Sequence, residues 1–229
     1  KAHILRAFRF ELTKVMVPAV RQRVVAMLAN VATELAQPLA ESLGITMPKP
    51  LPKALARAPE VVKSPRLSLF YRPSDGSIAG RRIAILLVDG VDSRGVRALH
   101  AGLVAQGAVP RFVGARLGSV QSDSGEAIAV EVTMETTPAV LYDAVVVPDG
   151  EKAATVLGSL GHALEFIKDQ YRHCKPILAL GFGINVVEQA GVPPRLANGQ
   201  RDPGLILLPE AEVSSALPLF VQAIAKHRH

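Results

Sequence analysis

The stretch ILALGFGINVVEQAG, Ile177 to Gly191, decides the fold. Four aliphatic residues run without alternation, a glycine-bracketed turn follows, and Ile184, Val187 and Glu188 then fall at helical spacing. That is a buried strand, a sharp turn and a short helix closed by Gly191. A non-alternating strand is covered on both faces, the signature of a parallel sheet. The turn itself, Gly181-Phe182-Gly183, offers no nucleophile.

Working outward from this unit, the same grammar extends from Arg82 to the end of the chain. RIAILLVDG (82–90) reads as a buried strand, and VDSRGVRALHAGLVAQG (91–107) as a helix closed by Gly107. VPRFVGA (109–115) is a second strand. GSVQSDSGEAIAVEV (118–132) alternates around Asp123-Ser124-Gly125, a hairpin turn. DAVVVPDG (143–150) is a third buried strand and HALEFIKDQYRHC (162–174) a helix. PILALGF (176–182) supplies the fourth strand and GLILLP (204–209) a last one. EVSSALPLFVQAIAKH (212–227) is a closing helix capped by Ser214 or Ser215. Apolar strands alternating with helices predict an α/β fold, a flavodoxin-like three-layer sandwich with a mostly parallel sheet.

Residues 1–80 differ. Leu5, Phe8, Leu12, Val15 and Met16 lie at helical spacing, Pro18 ends that helix, and Val20, Val24, Leu28, Val31, Leu35 and Leu39 make a second stripe with a kink at Pro38. Two amphipathic helices are expected, with no third helix to cover them. From residue 46 to 80, six prolines are interleaved with Lys and Arg, which reads as an extended linker. LSLFY, Leu67 to Tyr71, is its one apolar run. The expected organisation is a helical segment 1–45, a Pro-rich linker 46–80 and an α/β domain 81–229.

Composition narrows the function classes. At 229 residues with 49% hydrophobic side chains and mean hydropathy +0.27, the chain folds, and no run approaches the roughly 20 apolar residues of a membrane helix. KAHILRAFRF lacks the h-region of a signal peptide. A single cysteine, Cys174, fits a reducing cytoplasm. The net charge of +6 is uneven: residues 1–82 hold 14 Lys and Arg against 5 Asp and Glu, so the basicity belongs to the N-terminal third. With 4% aromatic residues and no binding motif, nucleic acid is not the expected partner.

Candidate chemistry lies beyond the carboxyl ends of the strands. Asp89, Asp92, Asp149 and Glu151 could form an acidic cluster for acid–base or metal chemistry, but acids before helices are ordinarily caps and dipole partners. A dinucleotide fingerprint is missing its third small residue, where Val186 stands. A P-loop would need Gly-Lys-Ser/Thr, and Gly95 is followed by Val96 and Arg97. None of His3, His100, His162, His173, His227 and His229 falls in a zinc-binding spacing. His227 and His229 read as a solvated tail. Cys174 sits at the end of a helix, where the dipole disfavours a thiolate. No metal or cofactor site is expected.

Two stretches carry a family resemblance. AFRFELTKVMVPAVRQRVVAMLANV (7–31), with A-F-x-F-E-L, K-V, V-P-A-V-R, R-V-V and L-A-N-V, is similar to the last helical segment of large-subunit monofunctional haem catalases. GRRIAILLVDGVDS (80–93), with DAVVVPDG, resembles the extra C-terminal domain of those enzymes, a domain of the class I glutamine amidotransferase-like superfamily that includes intracellular proteases and deglycases. The resemblance implies that the superfamily's nucleophilic cysteine maps to Gly181 and its acidic partner near Gly95, with Asp92 three residues earlier. Both catalytic positions would be vacant. A haem catalase also needs a β-barrel and a proximal tyrosine in R-x-x-x-Y. The residues four before Tyr71, Tyr142 and Tyr171 are Leu67, Pro138 and Ile167. The resemblance therefore implies a non-catalytic C-terminal piece of a peroxide-dismutating parent, with haem only in that parent. It would stabilise the subunit and the tetramer, with the catalase core as partner and self-association through residues 1–80. A chaperone-like holdase for unfolded clients, and a residual hydrolase or deglycase using Cys174 or the acidic cluster, are the alternatives.

Overall fold

The strands that lack alternation become the interior of the sheet. β1 (Arg82–Leu87) is buried from Ile83 onward, and β6 (Ala144–Val147) and β7 (Ile177–Leu180) are buried at every residue. Side chains alternate across a strand, so complete burial requires cover on both faces. β2 (Val109–Gly114), β5 (Val132–Thr133) and β8 (Leu205–Leu208) complete a six-stranded sheet of order β5-β2-β1-β6-β7-β8. All five pairings are parallel. Leaving aside the two-residue β5, the order is the 2-1-3-4-5 winding of flavodoxin-like folds.

The described residues are 2–229 of a computed structural model, apart from 56, 58, 59, 62, 63, 65, 66, 68–75, 211 and 228. The chain divides into two compact units, Lys1–Arg72 and Pro73–His229.

In the second unit the helices pack in two groups, α4 (Ser93–Ala105) with α8 (Val213–Lys226), and α5 (Glu151–Ser159) with α6 (Gly161–Arg172) and α7 (Gly183–Gln189). The sheet lies between them as the middle layer. The core includes Leu86, Leu99, Leu103, Leu157, Ile167, Val187 and Phe220, all essentially inaccessible. β3 (Gly118–Gln121) and β4 (Ala127–Val130) form the antiparallel hairpin, turning at Gly125 with φ +79°. Helix α5 is an addition to the sequence reading, and the closing helix takes Glu212, not a serine, at its N-cap, with no side-chain cap bond. Lys175 is buried. Its ammonium donates to the carbonyls of Ala139, Val140 and Tyr142, holding the 3-10 turn Ala139–Leu141.

The first unit corrects two expectations. Among its described residues are three helices, α1 (Ala2–Thr13), α2 (Pro18–Leu28) and α3 (Thr33–Ser42), where two were expected. The second stripe breaks at Asn30 and Val31: Val31 is 76% exposed, and the chain re-enters a helix at Thr33 after an extended Ala32. Pro38 lies inside α3. The helices also cover one another. Leu12, Val25, Ala36, Leu39 and Ala40 form a small core, flanked by Leu5, Phe8, Leu28, Ile45 and Met47. The chain after α3 returns over α2, where Leu51 N–H donates to Ala26 O and Asn30 Nδ2 to Leu51 O. Of LSLFY, only Leu67 is among the described residues.

Candidate functional site

At the carboxyl ends of β1 and β6, where the strand order reverses, the winding opens a crevice. It is an open cleft of about 550 Å³ lined by Gly90, Asp92, Ser122, Asp123, Asp149, Gly150, Glu151, Lys152 and Phe182. Three of the four acids singled out from sequence meet there; Asp89 does not line it.

The decisive geometry is at Gly181. It follows β7 with φ +48°, a left-handed conformation that disfavours any residue with a Cβ. Its N–H donates to Leu208 O, and its carbonyl accepts from Ile184 N. The turn is therefore the tight strand-to-helix elbow that the sequence anticipates. The space above it is filled. A Cβ built on Gly181 would fall deep within van der Waals contact of the Asp149 carboxyl group. Asp149 is held there by two main-chain donors, Gly150 N at 2.7 Å and Phe182 N at 2.8 Å, both on Oδ1. A carboxylate on two N–H groups makes charge-assisted hydrogen bonds. Asp149 thus occupies the volume into which a side chain at position 181 would project and consumes the N–H of the next residue.

The surrounding glycines let three turns approach closely. Gly183 packs on the carbonyls of Val147 and Pro148, with a built Cβ 2.6 Å from each. Gly150, at φ +128°, lies against the Gly90 carbonyl. Gly90 lies under the aliphatic stem of Lys152, and Asp92 N–H donates to Asp149 O at 3.1 Å. The β1, β6 and β7 turns are locked to one another by main chain and short side chains.

The other acids are also engaged. Asp92 is the N-cap of α4, accepting from Arg94 N and Gly95 N at 3.1 Å each. Gly95 lies inside that helix, under the Asp92 carboxylate, with no side chain to present. Asp89 accepts from Gln121 N at 2.8 Å, tying β1 to the hairpin, and Asp123 accepts from Ser93 N and Ser124 N. Glu151 stands in the first turn of α5, complementing its dipole. Among the described residues, no group of three His, Cys, Asp or Glu is placed to hold a metal ion.

The remaining candidates lie outside the cleft. Cys174 follows α6 with φ +56°, half-buried, and its carbonyl accepts from His229 N. His229 is no solvated tail: it packs against Gly204, and its ring bonds Ala223 O at 3.0 Å. His227 Nδ1 is 3.9 Å from Asp143. His100 stacks on Phe112 with ring centroids 4.8 Å apart, and burial holds its pKa below the usual histidine value against the pull of Glu131. The Lys168 hydrogen bond lowers the pKa of Glu165 on the outer face of α6. Haem does not fit the tyrosines described. Tyr142 is sealed in the core with its ring 5.8 Å from Phe166, and Tyr171 belongs to the core side of α6. Tyr71 lies outside the described residues.

The sequence reading missed Asp149 as the occupant of the elbow. It named Asp149 only as a strand-end acid, since a contact across 32 positions leaves no local pattern.

A family model for the C-terminal domain found in long catalases matches residues 79–229. The chain belongs to this family. Among curated relatives of this catalase domain, Catalase C of Rhizobium meliloti (strain 1021) is 34% identical over 99% of this chain and 31% of its own length. Catalase HPII of Mycobacterium avium is 39% identical over 85% of this chain and 27% of its own length, and Catalase HPII of Pseudomonas putida 33% over 99% and 30%. The chain thus spans about 30% of the length of the relatives it matches. A two-domain protein with DJ-1/ThiJ/PfpI-like and ferritin-like domains from Anabaena variabilis superposes on 50% of this chain and 33% of its own, with a TM-score of 0.48 and 20% identity. No helix among the described residues is long and apolar enough to cross a membrane.

Proposed function

We propose that this chain is a non-catalytic C-terminal portion of a large catalase, whose parent dismutates hydrogen peroxide at a haem held elsewhere. Its work is structural: the α/β unit stabilises the subunit and its tetramer, and the helical unit docks on the catalase core. The division into a helical segment 1–45, a linker 46–80 and a domain 81–229 belongs to this reading. So do a cytoplasmic setting and self-association through residues 1–80 when the core is absent.

The observation that carries the reading is the filled elbow. A hydrolase or deglycase of the superfamily that the sequence resembles would need a reactive side chain at the turn after β7 and free N–H donors to stabilise developing oxyanion charge. Here position 181 is glycine, and Asp149 fills the space above it and engages Phe182 N. Gly95, the second vacant position, lies in a capped helix turn. No observation favours client binding or a residual hydrolase.

The test is peroxide consumption by the purified chain with haem added. The expected rate is that of haem alone. Turnover at the rate of an intact catalase would end the reading.

A further inference from the structure

Between α7 and β8 the chain makes a small hairpin. Arg195 and Arg201 are bridged in antiparallel fashion, Leu196 N donates to Gln200 O, and Gly199 turns the chain at φ +81°. Asn198 Oδ1 accepts from Gln200 N, closing the turn. The feet are fixed. Val192 and Asp202 are buried, and Asp202 Oδ1 accepts from Gly204 N at 2.9 Å. Pro193 and Pro194 stiffen the entry.

The register decides how the two arginines meet. The ladder bond from Leu196 N to Gln200 O flanks the bridge, so Arg195 and Arg201 are a non-hydrogen-bonded antiparallel pair. In such a pair the side chains share one face, with Cα atoms about 4.5 Å apart, the closer of the two cross-strand spacings. Like charges placed directly opposite destabilise a strand pair. Arg81, Arg97, Arg111 and Arg172 each have an acid beside them. Arg195 and Arg201 are exposed, and among the described residues neither has a carboxylate partner. The nearest acid in sequence, Asp202, is buried, and alternation turns it to the opposite face. Arg195 gives one donor, Nη1, to Gly199 O at 2.9 Å. The other donors of the two guanidinium forks are open to a ligand.

What fits is a compact oxyanion of double charge. One carboxylate is satisfied by a single guanidinium fork and leaves the second charge unmatched. A phosphate monoester carries about −1.5 to −2 charges at neutral pH and three acceptor oxygens, enough for both forks.

We propose that Arg195 and Arg201 form a clamp for a phosphate group, one fork from each arm of the hairpin. The site is separate from the cleft and does not rest on the catalase reading.

The test is a two-dimensional NMR titration of the full chain with sodium phosphate, with sodium chloride at matched ionic strength as the control. Phosphate should give saturable amide shifts confined to residues 195–202, and chloride should not. Sodium acetate should bind about tenfold more weakly, since a monoanion engages one fork. A phosphoserine peptide without other charges separates the two sources of the group. Affinity about tenfold above that of phosphate assigns it to a modified polypeptide, and equal affinity assigns it to free phosphate. Arg195→Gln and Arg201→Gln should each weaken phosphate binding about tenfold. Without phosphate, Arg201→Gln should raise the denaturation midpoint, because it relieves repulsion and loses no side-chain hydrogen bond; an arginine with a purely structural role would lower it. Phosphate shifts equal to those of chloride overturn the proposal. So does phosphate affinity unaltered in both variants, or a lower midpoint for Arg201→Gln.

Discussion

Replacing Gly181 with Ala should destabilise the α/β unit in a way that depends on Asp149. Two costs add in the single variant. A Cβ at φ +48° costs about 1–2 kcal/mol of left-handed strain. The same Cβ must expel the Asp149 carboxylate, breaking its bonds to Gly150 N and Phe182 N. Hydrogen bonds to a charged group contribute about 1.5–3 kcal/mol each when buried. Asp149 is half-buried, and water can replace it, so roughly 1.5 kcal/mol for the two together is appropriate. Gly181→Ala should therefore cost about 3 kcal/mol and Asp149→Ala about 1.5 kcal/mol. In the double variant the bonds are lost once, so its cost should also be near 3 kcal/mol, a coupling of about 1.5 kcal/mol. Urea unfolding of the four proteins, followed by far-ultraviolet circular dichroism at constant m-value, measures it. Costs that add to within about 0.5 kcal/mol would show that position 181 and Asp149 do not compete, and would refute the filled-elbow argument.

Gly183→Ala should be worse than Gly181→Ala, because its Cβ meets two main-chain carbonyls, of Val147 and Pro148, that cannot swing away; a loss above about 4 kcal/mol or failure to fold is expected, read in the same urea assay. Tyr142→Phe should be neutral or stabilising by up to about 1 kcal/mol, since its buried hydroxyl has no hydrogen-bond partner, and thermal unfolding checks this. Because burial lowers the pKa of His100 in the folded state, the unfolded chain binds its proton first. His100 therefore costs nothing above pH 6.5 and removes stability as pH falls below it, toward the folded-state pKa. His100→Gln should flatten the fall in denaturation midpoint between about pH 7.5 and 5 relative to the parent; an equal slope in both proteins would contradict the assignment.

What the sequence made legible was the part of the fold written in local pattern. The unbroken aliphatic runs of β1, β6 and β7 required a doubly covered parallel sheet, and Gly107 and Gly191 marked helix ends where the chain takes φ +77° and +73°. Asp123-Ser124-Gly125 marked the hairpin. Helix α5 escaped because EKAATVLGS is short and rich in alanine, although Ala153, Ala154 and Leu157 do fall on one face. The break at Asn30 and Val31 escaped because Val31 continues the apolar stripe. Asn30, outside the helix, donates through Nδ2 to Leu51 O, 21 positions later, a contact that leaves no local pattern. At the site, the acids and glycines were visible as strand-end residues. Their roles were not, since Asp149 meets Gly181 and Asp89 meets Gln121 through tertiary contacts.

We propose that this domain stabilises a catalase without taking part in its chemistry. The most direct measurement is on the full-length protein with residues 79–229 deleted, comparing initial peroxide turnover per haem with the half-life of that activity on heating. Turnover per haem should stay within about twofold of the intact enzyme and the half-life should shorten at least tenfold, the tenfold corresponding to about 1.4 kcal/mol in the inactivation barrier. Loss of turnover in a deletion variant that still assembles and binds haem would contradict it.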